Sequence, residues 1–213
     1  MSVLNADRPF GAIPVGTLSG SPWQGYLRRC RANGSTAIYR GDKVVHGITG
    51  VASGFTVAVS NAANGLTDGT IVGIMVSPVV DRSLADTEHP GFVPASGTPD
   101  CLVVVAPDLI MLSQEDNDGD PIEFTDLGQA SIDVTTTTGS TTTGIAAWEL
   151  DSSSSQSSST GPVRLYAFYD SPDNLQADDS GAPGGGGATA SNRPKWLLTW
   201  LVADQYLRTG ADL

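Results

Sequence analysis

The sequence predicts an all-β fold: a compact β-barrel or β-sandwich domain with an extended N-terminal arm and long loops rich in Gly, Ser and Thr. Three observations carry this. The 25 glycines and 13 prolines among 213 residues cut the chain into pieces too short for ordinary helices. Apolar residues recur with period two or in short runs, and sustained 3.6-residue periodicity is missing. Turn signals such as Asn64-Gly65 and Asp68-Gly69 fall between the apolar pieces.

Residues 1–35 read as the arm and 36–213 as the β domain, with surface loops near 79–100, 151–161 and 171–194. Over 1–27, Pro9, Pro14 and Pro22, with Gly11, Gly16, Gly20 and Gly25, exclude a helix or a long strand. Yet Phe10, Ile13, Val15, Leu18, Trp23 and Tyr26 are apolar and need burial. Two arrangements satisfy both constraints: an arm lying on a neighbouring surface, or a loop packed on its own domain.

Short strands are expected over 37–39, 42–46, 55–59 and 70–77, separated by glycines. The run CLVVVA (101–106) is apolar throughout, which suits a strand buried on both faces at the centre of the core, and a second strand follows over 109–112. Ile132 and Val134 precede a threonine-rich tract that suits either a strand or a surface loop. Trp148 and Leu150 end a short strand before the serine-rich stretch 152–159, which holds too little apolar surface to fold alone. VRLYAFY (163–169) sets Val163, Leu165, Ala167 and Tyr169 on one face and Arg164, Tyr166 and Phe168 on the other, as a strand does. The segment 195–207 fits both period two and helical spacing; its aromatic content and β-rich context favour a strand.

The formal net charge of −12 argues against nucleic-acid binding, which needs clustered Lys and Arg. Its distribution is uneven. Residues 1–43 hold six basic residues against two acids, whereas the remainder holds five against 21. Such polarity suggests that the opening segment meets an acidic partner, although a merely acidic protein with surface arginines has the same composition. No apolar run approaches the roughly 18 residues needed to cross a bilayer, and no export signal opens the chain, so no membrane partner is expected. Cys30 and Cys101 fit no zinc spacing and are expected as free thiols.

Catalytic chemistry finds few candidates. Only His46 and His89 could serve a nucleophilic triad or a histidine metal site, and neither has a motif around it. The string Glu115-Asp116-Asn117-Asp118-Gly119-Asp120-Pro121-Ile122-Glu123 crowds oxygen ligands as calcium requires, but it fails the EF-hand register and reads as an acidic turn. Gly184 to Gly187 lack the Lys-Ser/Thr pair of a phosphate cradle. No enzymatic activity, catalytic residue, cofactor or metal is expected.

Five stretches in order resemble the head decoration (cement, capsid-stabilising) proteins of tailed bacteriophages: NADRPFGAIPVGTLSGSPWQGYLRRC, GDKVV, TIVGIMVSP, YAFYDSPDN and KWLLTWLVADQYL. They span most of the chain in patches, and long inserts around 79–100 and 176–194 depart from the family pattern. The resemblance implies a structural virion protein, made in the host cytoplasm, that binds the outer surface of an assembled capsid. It would bridge neighbouring subunits of the phage's major capsid protein and self-associate as a trimer. The expected contacts lie on the arm: Arg8, Phe10, Ile13, Leu18, Trp23, Tyr26, Arg28 and Arg29. The alternative is a carbohydrate-binding or host-adhesion β module on the virion, with Trp148 or Tyr166 stacking on sugars.

Overall fold

The structure, a computed structural model, describes residues 9–32, 36–46, 56–59, 71–79, 91–95, 99–116, 122, 124–128, 131–154, 161–171, 174 and 193–200. Among them the fold is all-β. Ten strands are present: β1 (Ile13–Thr17), β2 (Leu27–Ala32), β3 (Lys43–His46), β4 (Thr56–Val59), β5 (Ile71–Pro78), β6 (Asp100–Val104), β7 (Leu109–Gln114), β8 (Ser131–Ile132), β9 (Val163–Phe168) and β10 (Lys195–Trp200). The only described helical pieces are single 3-10 turns at Trp23–Tyr26, Phe124–Asp126 and Ser152–Ser154.

The strands form two sheets. One is a ring in the order β2-β4-β3-β5-β6 whose pairing closes back on itself, and the other is an open sheet in the order β1-β7-β10-β9-β8. All ladders are antiparallel except β2 with β4. The ring encloses Cys30, Ala32, Val44, Val57, Val72, Met75, Cys101 and Val103. Most of these are small, as the narrow interior of five strands requires.

A larger cluster fills the space between ring and open sheet. Val45, Ile71, Ile74 and Val104 come from the ring; Leu109, Met111, Leu165, Trp196, Leu198 and Trp200 come from the sheet. The apolar run on β6 serves both clusters, because alternate residues face opposite sides: Cys101, Val103 and Val105 belong to the ring interior, Val104 and Ala106 to the shared core. This is the physical content of a run without polar interruption. In the open sheet, β10 buries every second residue (Trp196, Leu198, Trp200), so period two and not the helical spacing describes it. The rest of that expected strand lies outside the described residues.

Two expectations change. Within 37–39 only Ile38 makes a bridge, to Val93, in place of a strand; the next bridge, Arg40 with Ile145, lies just beyond, and Leu150 likewise makes only bridges, to Glu115 and Val134. More consequentially, the boundary expected at residue 35 between an extended arm and a separate domain does not hold for the described part of that segment. β1 pairs with β7 in the open sheet, and β2 lies between β4 and β6 in the ring. The prolines did not prevent this, because Pro14 sits on an edge strand, where a missing N–H costs no ladder bond on the open side.

Candidate docking surface

The Pro-Phe-Gly-Ala stretch at 9–12 fastens the N-terminal segment to the core. Ala12 N–H donates to the Gly41 carbonyl (3.0 Å), and the same oxygen accepts from Trp148 Nε1–H (2.9 Å). Ser113 Oγ–H donates to the Gly11 carbonyl (2.7 Å). Gly11 has φ +66°, a backbone region that side chains with a Cβ rarely adopt, and it packs against Gly41, Ala146 and Trp148. No other residue type fits there without displacing buried atoms.

From that anchor the chain enters β1, where Pro14 lies opposite the buried Met111 and Ile13 opposite Leu112. The ladder slips between Pro14 and Gly16, leaving Val15 as the extra residue of a bulge. Bulge and proline together blunt this edge against addition of another strand. They do not hide its side chains. Ile13 and Val15 are 46% and 48% exposed, and Leu18, just beyond the strand, is 49% exposed.

The turn carrying Leu18 is pinned. Leu18 N–H donates to the Asp108 carbonyl (2.9 Å), Ser19 N–H to Asp108 Oδ2 (3.0 Å), and Thr17 Oγ1–H to the Ser21 carbonyl (2.8 Å). Phe10 and Ile13 then meet Trp23, Arg40, Val76 and Ile145 around an open groove of about 330 Å³. Ile13 also heads a cross-strand row over the outer face of the open sheet, through Leu112 and Leu197 to Ala167, the last three half-buried. Groove and row thus share one side chain.

After the 3-10 turn, β2 leaves Arg28, Arg29 and Arg31 exposed and buries Cys30 and Ala32. Asp100, on the neighbouring β6, pairs with Arg29 (2.5 Å) and lies 3.9 Å from Arg31. The basic strip is therefore partly neutralised within the molecule. Exposed pairs of this kind contribute about 1 kcal/mol or less.

Of the residues expected to dock, Phe10, Ile13 and Trp23 come together at the groove; Leu18, Arg28 and Arg29 are exposed elsewhere on the same segment. Tyr26 is half-buried against the core, its carbonyl accepting from Val105 N–H (3.1 Å) in the β2 to β6 seam. Arg8 lies outside the described residues. Val15 is not among the residues expected to dock, although it is as apolar as Ile13 and Leu18 in the same Pro/Gly-rich segment. Arg40, Val76 and Ile145 carry no signal in the sequence, since only the fold brings them to residue 13.

Other candidates resolve differently. Trp148 is buried and engaged with Gly41, so it cannot stack on a sugar; Tyr166, at 50% exposure, remains open to contact. In the acidic string, Glu115 is buried, with Oε1 accepting from Ile122 N–H (3.1 Å) and Oε2 from Trp196 Nε1–H (3.0 Å). Burial holds its carboxyl up at about 7 despite both hydrogen bonds. Asp116 Oδ1 accepts from Ser152 N–H (3.0 Å). These two carboxylates thus cap backbone and indole donors, and residues 117–121 and 123 are outside the described set. The side chains of His46 and His89 are also outside it.

No protein family, no characterised protein and no solved structure matches this chain.

Proposed function

We propose that the protein is a structural component of a bacteriophage particle, bound to the outer surface of the assembled capsid and stabilising it by bridging neighbouring subunits of the major capsid protein, with self-association as a trimer. One observation supports this reading above the rest: three large apolar side chains, Ile13, Val15 and Leu18, are held half-exposed on a segment fastened by Gly11 and by the Asp108 contacts. A pinned segment loses little conformational entropy when it docks, so the apolar burial is not spent on ordering it. Fully burying such a side chain is worth about 1.5–3 kcal/mol, and these three are half-way there already. Several kcal/mol of contact therefore resides in the apolar set, against about 1 kcal/mol or less for each exposed arginine. A ligand that binds the assembled shell and not its separated subunits stabilises the shell by mass action.

The test is co-sedimentation with capsid shells that lack the protein, using wild type, Ile13→Asp with Leu18→Asp, and Arg28→Ala with Arg29→Ala. The apolar pair should lose binding by at least tenfold while its circular dichroism stays that of wild type. The arginine pair should bind within a few-fold of wild type and respond only weakly to salt. Full binding by the folded Ile13/Leu18 variant would place the contact elsewhere, and a steep salt dependence would make it electrostatic. Binding without any rise in shell disruption temperature would leave a decoration that does not cement.

A further inference from the structure

β2 and β6 bring the two cysteines of the chain together. Cys30 and Cys101 are register partners, and both belong to the cluster inside the ring. Directly opposed residues of an antiparallel pair project from the same face, so the thiols share one side of the sheet. Both are free and almost wholly buried.

The backbone bonds fix what kind of pair this is. Val105 N–H donates to the Tyr26 carbonyl (3.1 Å), and Ala32 N–H donates to the Pro99 carbonyl (2.9 Å). Hydrogen-bonded and non-bonded pairs alternate along an antiparallel ladder. Stepping inward by twos from both ends, Cys30 and Cys101 fall on a hydrogen-bonded pair, whose Cα atoms stand about 5.5 Å apart. A disulfide spans Cα separations of roughly 4.4–6.8 Å. The Cβ atoms of such a pair, however, lie towards the upper end of about 4.5–5.5 Å. A disulfide prefers about 3.5–4.5 Å, so the bond can close only by drawing the strands together. Strain of this kind makes a disulfide easier to reduce than a structural one.

We propose that Cys30 and Cys101 are a reversible dithiol–disulfide couple inside the ring, closing across the β2 to β6 seam when the protein meets a small-molecule disulfide. With oxidised glutathione, one protein thiolate attacks a glutathione sulfur, forming a mixed disulfide and releasing one glutathione thiol. The second protein thiolate then attacks the protein sulfur of that mixed disulfide and releases the other. Two protein thiols are oxidised, one glutathione disulfide is reduced, and the two protons end on the two glutathione thiols. Burial makes closure slow, because it pushes the Cys30 thiol up to about 11 and Cys101 up to about 12, leaving little thiolate at neutral pH. The closed bond ties the N-terminal segment covalently to β6. The couple does not depend on what the protein docks to.

The folded full chain is incubated with oxidised glutathione at mildly alkaline pH and followed by intact mass, by thiol titration in denaturant, and by peptide mapping. The expected result is a monomer lighter by two hydrogens, with no titratable thiol and with the Cys30 and Cys101 peptides linked. Its urea midpoint should rise, and a millimolar monothiol should restore both thiols. Cys30→Ser should show neither the loss of two hydrogens nor a linked peptide pair, and its urea midpoint should not rise with oxidised glutathione. Retention of both thiols, a stable adduct on the wild-type chain, or a link between two chains would overturn the proposal.

Discussion

Replacing Gly11 by alanine should destabilise the protein by about 2–5 kcal/mol, and the structure divides that loss into two parts. A non-glycine residue at φ +66° costs about 1–2 kcal/mol from backbone sterics alone. The new Cβ would also stand 2.6 Å from the Gly41 carbonyl oxygen, 2.7 Å from Ala146 Cβ and 2.9 Å from Trp148 Nε1. All three neighbours are buried and hydrogen-bonded or packed, so they cannot swing aside, and overpacking of this kind costs about 1–3 kcal/mol more. Two other glycines of the same segment isolate the parts. Gly20 has φ +76° with nothing within 4 Å of its added Cβ, so Gly20→Ala should show the backbone cost alone. Gly16 has neither feature, and Gly16→Ala should be neutral or stabilising by up to about 1 kcal/mol through the unfolded state. Urea denaturation of the three variants, with midpoints shifting at constant slope, measures the series. Against a total of roughly 5–15 kcal/mol for a typical domain, the Gly11 effect is large. If Gly11→Ala costs no more than Gly20→Ala, the 9–12 stretch is not packed against Gly41 and Trp148, and the anchored docking segment loses its basis.

Asp42 is buried, its Oδ2 accepts from Tyr39 N–H (2.7 Å), and burial pushes its carboxyl from an ordinary 3.8 up to about 7, with Glu115 moving the same way. The folded state then holds protons that the unfolded chain releases between about pH 4 and 7, so stability should fall as pH rises through that window, at about 1.4 kcal/mol per pH unit for each fully shifted group. Asp42→Asn keeps the acceptor for Tyr39 and should flatten that fall, raising the melting temperature at pH 8 relative to wild type; an unchanged pH profile would show that Asp42 ionises freely in the fold. Deleting residues 1–27 should abolish the cooperative unfolding transition, because it removes β1 and the Gly11 anchor and leaves Met111 and Trp148 without their cover. A truncated protein with wild-type near-ultraviolet dichroism would contradict this.

How much of this was legible in the sequence depends on how each strand is buried. β9 alternates because one face meets the core, and β6 is apolar throughout because both faces do, so each writes its burial into its composition. β2 writes almost nothing. Its buried residues, Cys30 and Ala32, are small because the ring interior is narrow, and its exposed residues are arginines, so LRRCRA resembles a basic surface segment. β1 is obscured by Pro14 and by the bulge at Val15, which break the alternation that identifies a strand. The apolar residues proposed to dock stand out in the sequence, since apolar side chains in a Pro/Gly-rich segment need a surface. Their exposure does not, because it follows from pairing with a strand some hundred residues away.

The pairing of β1 with β7 and of β2 with β6 also sets an order of events during synthesis. The first two strands leave the ribosome long before their antiparallel partners, and non-local pairing of this kind is slow to form. β2 can meet β4 earlier, but only through two registered residue pairs. Until β6 and β7 arrive, Ile13 and Val15, with Leu18 just beyond them, lie on an unpaired segment with no fixed spacing. They take their half-exposed places only when β1 has paired with β7. The half-exposed apolar set is thus a late product of folding, and a chain arrested part-way does not present it as a completed one does.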